Sequence, residues 1–159
     1  MRRILVPSLL ATLVLAGDAA AAQADTALRT PGAQWVELRA GKGRAALGRK
    51  GVININVRRG RVRVVDLPGG SRPKRSCNRR GVRVSAFAVE YRGRRVRCLV
   101  SGAGPWQVII RGRGIYASGR VRGSLTLDGV QSGPTGLYTI GERSARPWPR
   151  SARTFVLRR

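Results

Sequence analysis

From Trp35 onward the chain never sustains a helical repeat. Apolar residues recur at every second position in short runs, and glycine breaks the runs at close intervals. A period of two is the mark of a strand, whose successive side chains point to opposite faces of a sheet. Ile53, Ile55 and Val57 share one face, with Asn54 and Asn56 on the other. Val62 and Val64 oppose Arg61 and Arg63, and Val96, Cys98 and Val100 oppose Arg95 and Arg97. Val121, Leu125 and Leu127 likewise oppose Arg120, Arg122 and Thr126. Trp106, Val108 and Ile110 form a further face; residues 35–40 alternate weakly, and residues 137–140 and 154–157 complete the set. Residues 82–90 are apolar on both faces for much of their length, which predicts a central strand.

The breaks between runs read as hairpin connections. Arg59-Gly60, Gly93-Arg94, Gly112-Arg113-Gly114 and Asp128-Gly129 each supply a residue that tolerates positive φ. Residues 68–80 form a longer loop that carries Cys77, and Pro147-Trp148-Pro149, short of two backbone donors, predicts an extended surface crossing. A loose repeat recurs in Arg59-Gly60-Arg61-Val62, Arg92-Gly93-Arg94-Arg95 and Gly119-Arg120-Val121-Arg122, at irregular spacing. The expectation is an all-β fold, an antiparallel sandwich or barrel of short strands and hairpins, with a β-solenoid as the alternative.

Ahead of this region stands a different kind of segment. Arg2 and Arg3 precede a short apolar run, small residues follow, and Ala22-Gln23-Ala24 offers a cleavage site. That order predicts an export leader at 1–24, too short in its apolar part to span a bilayer. A short lead-in at 25–33 and a single all-β domain at 34–159 follow. Export to an oxidising compartment predicts one disulfide between Cys77 and Cys98, the two cysteines of the chain. The expected location is extracellular or associated with the cell envelope.

Catalysis finds little to work with. The chain contains no histidine, which excludes Ser-His-Asp and Cys-His sites and imidazole-held metals. Glu37, Asp66, Glu90, Asp128 and Glu142 could in principle supply a glycosidase-like pair of carboxylates, although turn roles for Asp66 and Asp128 and pairing with arginine are the simpler readings. Gly112-Arg113-Gly114-Ile115-Tyr116-Ala117 matches a dinucleotide fingerprint in letters, but that motif works by opening a helix, and another strand follows here. The expectation is a non-enzymatic protein with no cofactor and no metal.

Charge is what remains. Lys and Arg number 32 against seven Asp and Glu, a formal charge of +25, and removal of Arg2, Arg3 and Asp18 with the leader would lower it by one. Arginine codons are G+C-rich, so genome composition can account for arginine over lysine; it does not account for so few acids. Arg61, Arg63, Arg95, Arg97, Arg120 and Arg122 lie on the polar side of alternating strands and are the candidate polyanion-binding face. The competing reading is a solvated outer face whose arginines keep strand edges from pairing.

The segments at 111–118 and 123–129, Gly136-Leu137-Tyr138, residues 153–157, and Val64-Val65-Asp66-Leu67-Pro68 together resemble Gly/Arg-rich exported all-β proteins of G+C-rich Gram-positive bacteria. The resemblance implies export and no particular activity. The expected partners are anionic envelope or extracellular polymers, and nucleic acid non-specifically in vitro. A structural envelope component without ligand and a carbohydrate-active enzyme using two carboxylates are the alternatives.

Overall fold

The computed structural model describes residues 32–129 and 136–158, so the leader expected at 1–24 and most of the lead-in lie outside the described residues. Seven strands build one antiparallel sheet: β1 (Gln34–Asp66), β2 (Lys74–Cys77), β3 (Val82–Ser85), β4 (Ala88–Asp128), β5 (Gly136–Ile140), β6 (Arg146–Pro147) and β7 (Arg153–Leu157). The sheet runs β2-β4-β1-β5-β6, with β3 and β7 each added to β4. The all-β, antiparallel architecture is as the alternation requires. It is a single sheet in place of two packed sheets, and it is not closed into a barrel.

Two very long strands dominate it. β1 residues 34–49 pair with β4 residues 106–121, residues 51–65 pair with 88–102, and residues 44–66 pair with 106–128. Arg49 therefore stands opposite Trp106, while Gly51, two residues on, stands opposite Val121. On a flat sheet those two partners would lie about 50 Å apart at roughly 3.3 Å per residue. Neighbours in the chain cannot be so far apart, so the β1–β4 ribbon must coil until successive turns hydrogen-bond to one another. The coil encloses its own core. Val36, Leu38, Leu47, Ile53, Ile55, Val62, Trp106, Ile110, Leu125 and Leu127 are among the residues fully shielded inside it. Trp106 satisfies its indole by donating Nε1–H to the carbonyl of Gly102, at 3.2 Å.

Three expectations need correction. The glycine breaks at 59–60, 93–94 and 112–114 are not hairpin turns: β1 and β4 run straight through them. Glycine permits a bend as readily as a reversal, and sequence alone does not separate the two. Residues 82–90 are not one central strand. β3 ends at Ser85, Ala86 and Phe87 turn, and β4 starts at Ala88, with Val82, Val84 and Phe87 left exposed. The loop expected at 68–80 contains β2, which pairs Cys77 opposite Cys98. Around Pro147 the chain does run along an edge as β6, but Trp148 then turns inward and is buried, its backbone N–H donating to Gly136 O at 2.8 Å.

Candidate functional site

The long strands share a defect in their alternation. Inward residues should be separated by even numbers, yet β1 buries Ala40 and Ala45, then Val57 and Val62, and β4 buries Tyr91 and Val96, then Ile110 and Ile115. Each interval is odd, and each holds four residues that stay outside: Gly41-Lys42-Gly43-Arg44, Arg58-Arg59-Gly60-Arg61, Arg92-Gly93-Arg94-Arg95 and Arg111-Gly112-Arg113-Gly114. The register puts the four intervals side by side. Ala40 and Val57 flank Ile115 above them, and Ala45 and Val62 flank Ile110 below. The sheet thus turns a corner across four neighbouring segments, and every residue of that corner is glycine, arginine or lysine.

The corner is irregular along one row. Gly41, Arg58, Arg95 and Gly114 have no ladder partner at that level, Gly114 has φ 60°, and Arg95, at φ 52°, is the one non-glycine residue with positive φ among the described residues. One extra residue per strand shifts the pleat and sharpens the bend, as a bulge does. The next row is glycine throughout: Gly93 pairs with Gly60, Gly60 with Gly112, and Gly112 with Gly43. Backbones approach closely here, since a Cβ on Gly60 would stand 2.2 Å from the carbonyl oxygen of Arg111.

On each side of the glycine row lies a row of cations. Lys42, Arg113, Arg59 and Arg94 are ladder neighbours in one, and Arg44, Arg111, Arg61 and Arg92 in the other. Like charges directly opposite on neighbouring strands repel. The second row meets an acid at each end. Asp128 stands opposite Arg44. At the other end Glu90 is buried and accepts from Arg92 Nε and from Arg63 Nε, the latter at 2.9 Å, with Arg61 Nη1 at 3.9 Å. Burial alone would push the Glu90 carboxyl up; the hydrogen bonds and charge of Arg92 and Arg63 outweigh it and hold the group below its ordinary 4.5. No acid stands opposite a member of the first row in the described pairings. Lys42, Arg44, Arg59, Arg111 and Arg113 line a concave pocket together with Asp128 and the glycines Gly43, Gly112 and Gly129. The absent side chains open the hollow, and the guanidinium groups around it can grip oxyanions bidentately.

The six arginines singled out by alternation are only partly gathered. Arg61 and Arg95 belong to the corner. Arg63 is turned to Glu90, with Nη2 at 2.8 Å. Arg97 pairs with Asn56 beyond the corner, Arg120 with Trp35 and Val52, and Arg122 with Lys50 far along β4. Alternation could not find Lys42, Arg44, Arg59, Arg92, Arg94, Arg111 and Arg113, because the rule itself fails at the corner; the recurring Arg-Gly-Arg repeat was the available signal. Among the acids, Glu37 binds Arg39 at 2.6 Å and Asp66 binds Arg72 at 3.4 Å, while Glu142 is exposed after β5. No two carboxylates face each other in the described pairings. Residues 112–117 continue as strand, with no helix N-terminus at hand for a dinucleotide.

Cys77 and Cys98 form the disulfide, with Cα atoms 4.1 Å apart, and such a bond suggests a non-reducing compartment. Fold and site together define an all-β protein built on one coiled antiparallel sheet with a cationic corner. No family model matches the chain, and no curated protein or solved structure matches it.

Proposed function

We propose that this is an exported, non-enzymatic protein that binds anionic envelope or extracellular polymers at the corner of its sheet. The observation that carries the reading is the pair of four-cation rows on either side of the glycine row. Repulsion between these side chains costs folding energy, and a polyanion laid across them would remove it. A uniform spread of charge would have favoured a structural envelope component without ligand; clustering supports binding instead. Pairing of Glu37, Asp66 and Glu90 with arginine speaks against a two-carboxylate hydrolase. Kinship with Gly/Arg-rich exported proteins of G+C-rich Gram-positive bacteria is part of the same proposal.

The test is a salt titration of binding to heparin, duplex DNA and poly(glycerol phosphate). With about five phosphates of duplex DNA neutralised, log affinity should fall against log salt with a slope near −4 to −5. Replacing Lys42, Arg59, Arg111 and Arg113 with glutamine should shallow that slope by about 3 to 4. The same change at Arg49, Arg120 and Arg150, away from the corner, should alter it much less. Absence of binding at low salt would overturn the reading.

A further inference from the structure

The β3–β4 hairpin is built unlike the rest of the surface. Ser85 pairs with Ala88, so the reversal is made by two residues, Ala86 and Phe87. Such turns ordinarily carry Asn, Asp or Gly. Here the turn carries a phenylalanine that is 62% exposed, as is Val82, with Val84 beside them at 40%. The backbone holds the turn in place. The Phe87 carbonyl accepts from Asp66 N–H at 2.7 Å and the Phe87 N–H donates to Ser85 Oγ at 3.3 Å. β3 is exposed along its whole length, and its outer edge carries no strand among the described residues.

Charge decides what could cover this tip. Arg83 is exposed on β3, and the acid at the tip, Asp66, whose N–H donates to the Phe87 carbonyl, is paired with the exposed Arg72 at 3.4 Å. A second copy adding a strand to the free edge of β3 would bring together two chains of charge +25. An anionic surface meets no such repulsion. We propose that the hairpin is a membrane-contacting tip: Phe87, Val82 and Val84 enter the interface of a bilayer rich in anionic phospholipid, while Arg72 and Arg83 engage its phosphates. Apolar burial and basic attraction to anionic headgroups act together in such binding, neither sufficing alone. The tip is a surface separate from the corner and stands independently of the polymer reading.

Because the corner would also attract acidic vesicles, binding alone does not test the tip. Phe87→Trp places a reporter there. With vesicles of equal phosphatidylglycerol and phosphatidylcholine brominated in the acyl chains, the added emission should shift blue and be quenched at least twofold, and the Lys42, Arg59, Arg111, Arg113 variant should keep that quenching. Phosphatidylcholine vesicles alone should produce neither effect. Phe87→Ser with Val84→Ser, both exposed positions, should weaken binding to the acidic vesicles in high salt roughly tenfold. Unquenched emission from the introduced tryptophan, or unchanged vesicle binding by the double variant, would overturn the proposal. So would loss of a dimer, seen by sedimentation velocity, as the main effect of the double variant.

Discussion

The side-chain amide of Asn78 donates to the carbonyl of Arg95 at 2.9 Å, and so clamps the one described non-glycine residue at positive φ. Its Oδ1 accepts from Arg97 N–H at 2.8 Å, and its own N–H donates to Arg97 O at 3.0 Å. One residue thus holds both sides of the kink in β4, next to the disulfide at Cys77. Left-handed backbone costs an ordinary residue about 1–2 kcal/mol, so the kink needs such a restraint. Asn78→Ala should lower unfolding free energy by about 1 kcal/mol. Arg95→Gly should relieve backbone strain and leave stability equal or higher. Urea denaturation of the two variants measures both signs.

Gly60 tests the close crossing. Its backbone φ is not positive, yet a methyl group would meet Arg111 O at 2.2 Å and Gly112 Cα at 2.7 Å. Backbone atoms give way poorly, so Gly60→Ala should cost about 3 kcal/mol. Gly69 is the reverse case: it has φ 94° and open space around its Cβ position. There Ala should cost only about 1 kcal/mol, from the backbone alone. Equal effects at the two sites in thermal unfolding would show that the strands do not approach as described.

Glu90 sets an acid limit on stability. Its carboxyl titrates lower in the folded protein than its ordinary 4.5. The unfolded chain therefore binds this proton first as pH falls. The contribution is fully present above about 4.5 and is lost as pH drops through the lower folded value. Glu90→Gln should remove that acid dependence and, at neutral pH, cost roughly 2 kcal/mol. This is less than for a fully buried pair, because Arg63 and Arg92 keep contact with water. Unfolding curves taken from neutral to strongly acidic pH on both proteins provide the comparison.

The disulfide joins residues 21 apart in sequence and ties β2 to the kinked part of β4. Replacing both cysteines with serine should lower stability by about 3 kcal/mol. Amide exchange in residues 74–78 and 94–98 should speed up more than exchange at Val36 or Leu38, deep in the coil. Peptide mapping without reductant should recover the two cysteine peptides linked. Alkylation of both thiols without reduction would contradict the bond.

Alternation in the sequence was enough for the strand character of the chain and for the inward set from Ile53 to Val57 and from Trp106 to Ile110. These are local properties: a side chain's face follows from its neighbours one and two residues away. What Gly60 and Gly112 do is not local. A glycine beside arginine fits a hairpin or a bend equally well, and the choice depends on which strand passes alongside. Only the coiled register, with Gly60 between Gly93 and Gly112, decides for the bend. The same register gathers Lys42, Arg59, Arg94 and Arg113, which are up to 71 residues apart in the chain, into one row. Sequence supplied the charge; the pairing of strands in three dimensions concentrated it at one corner.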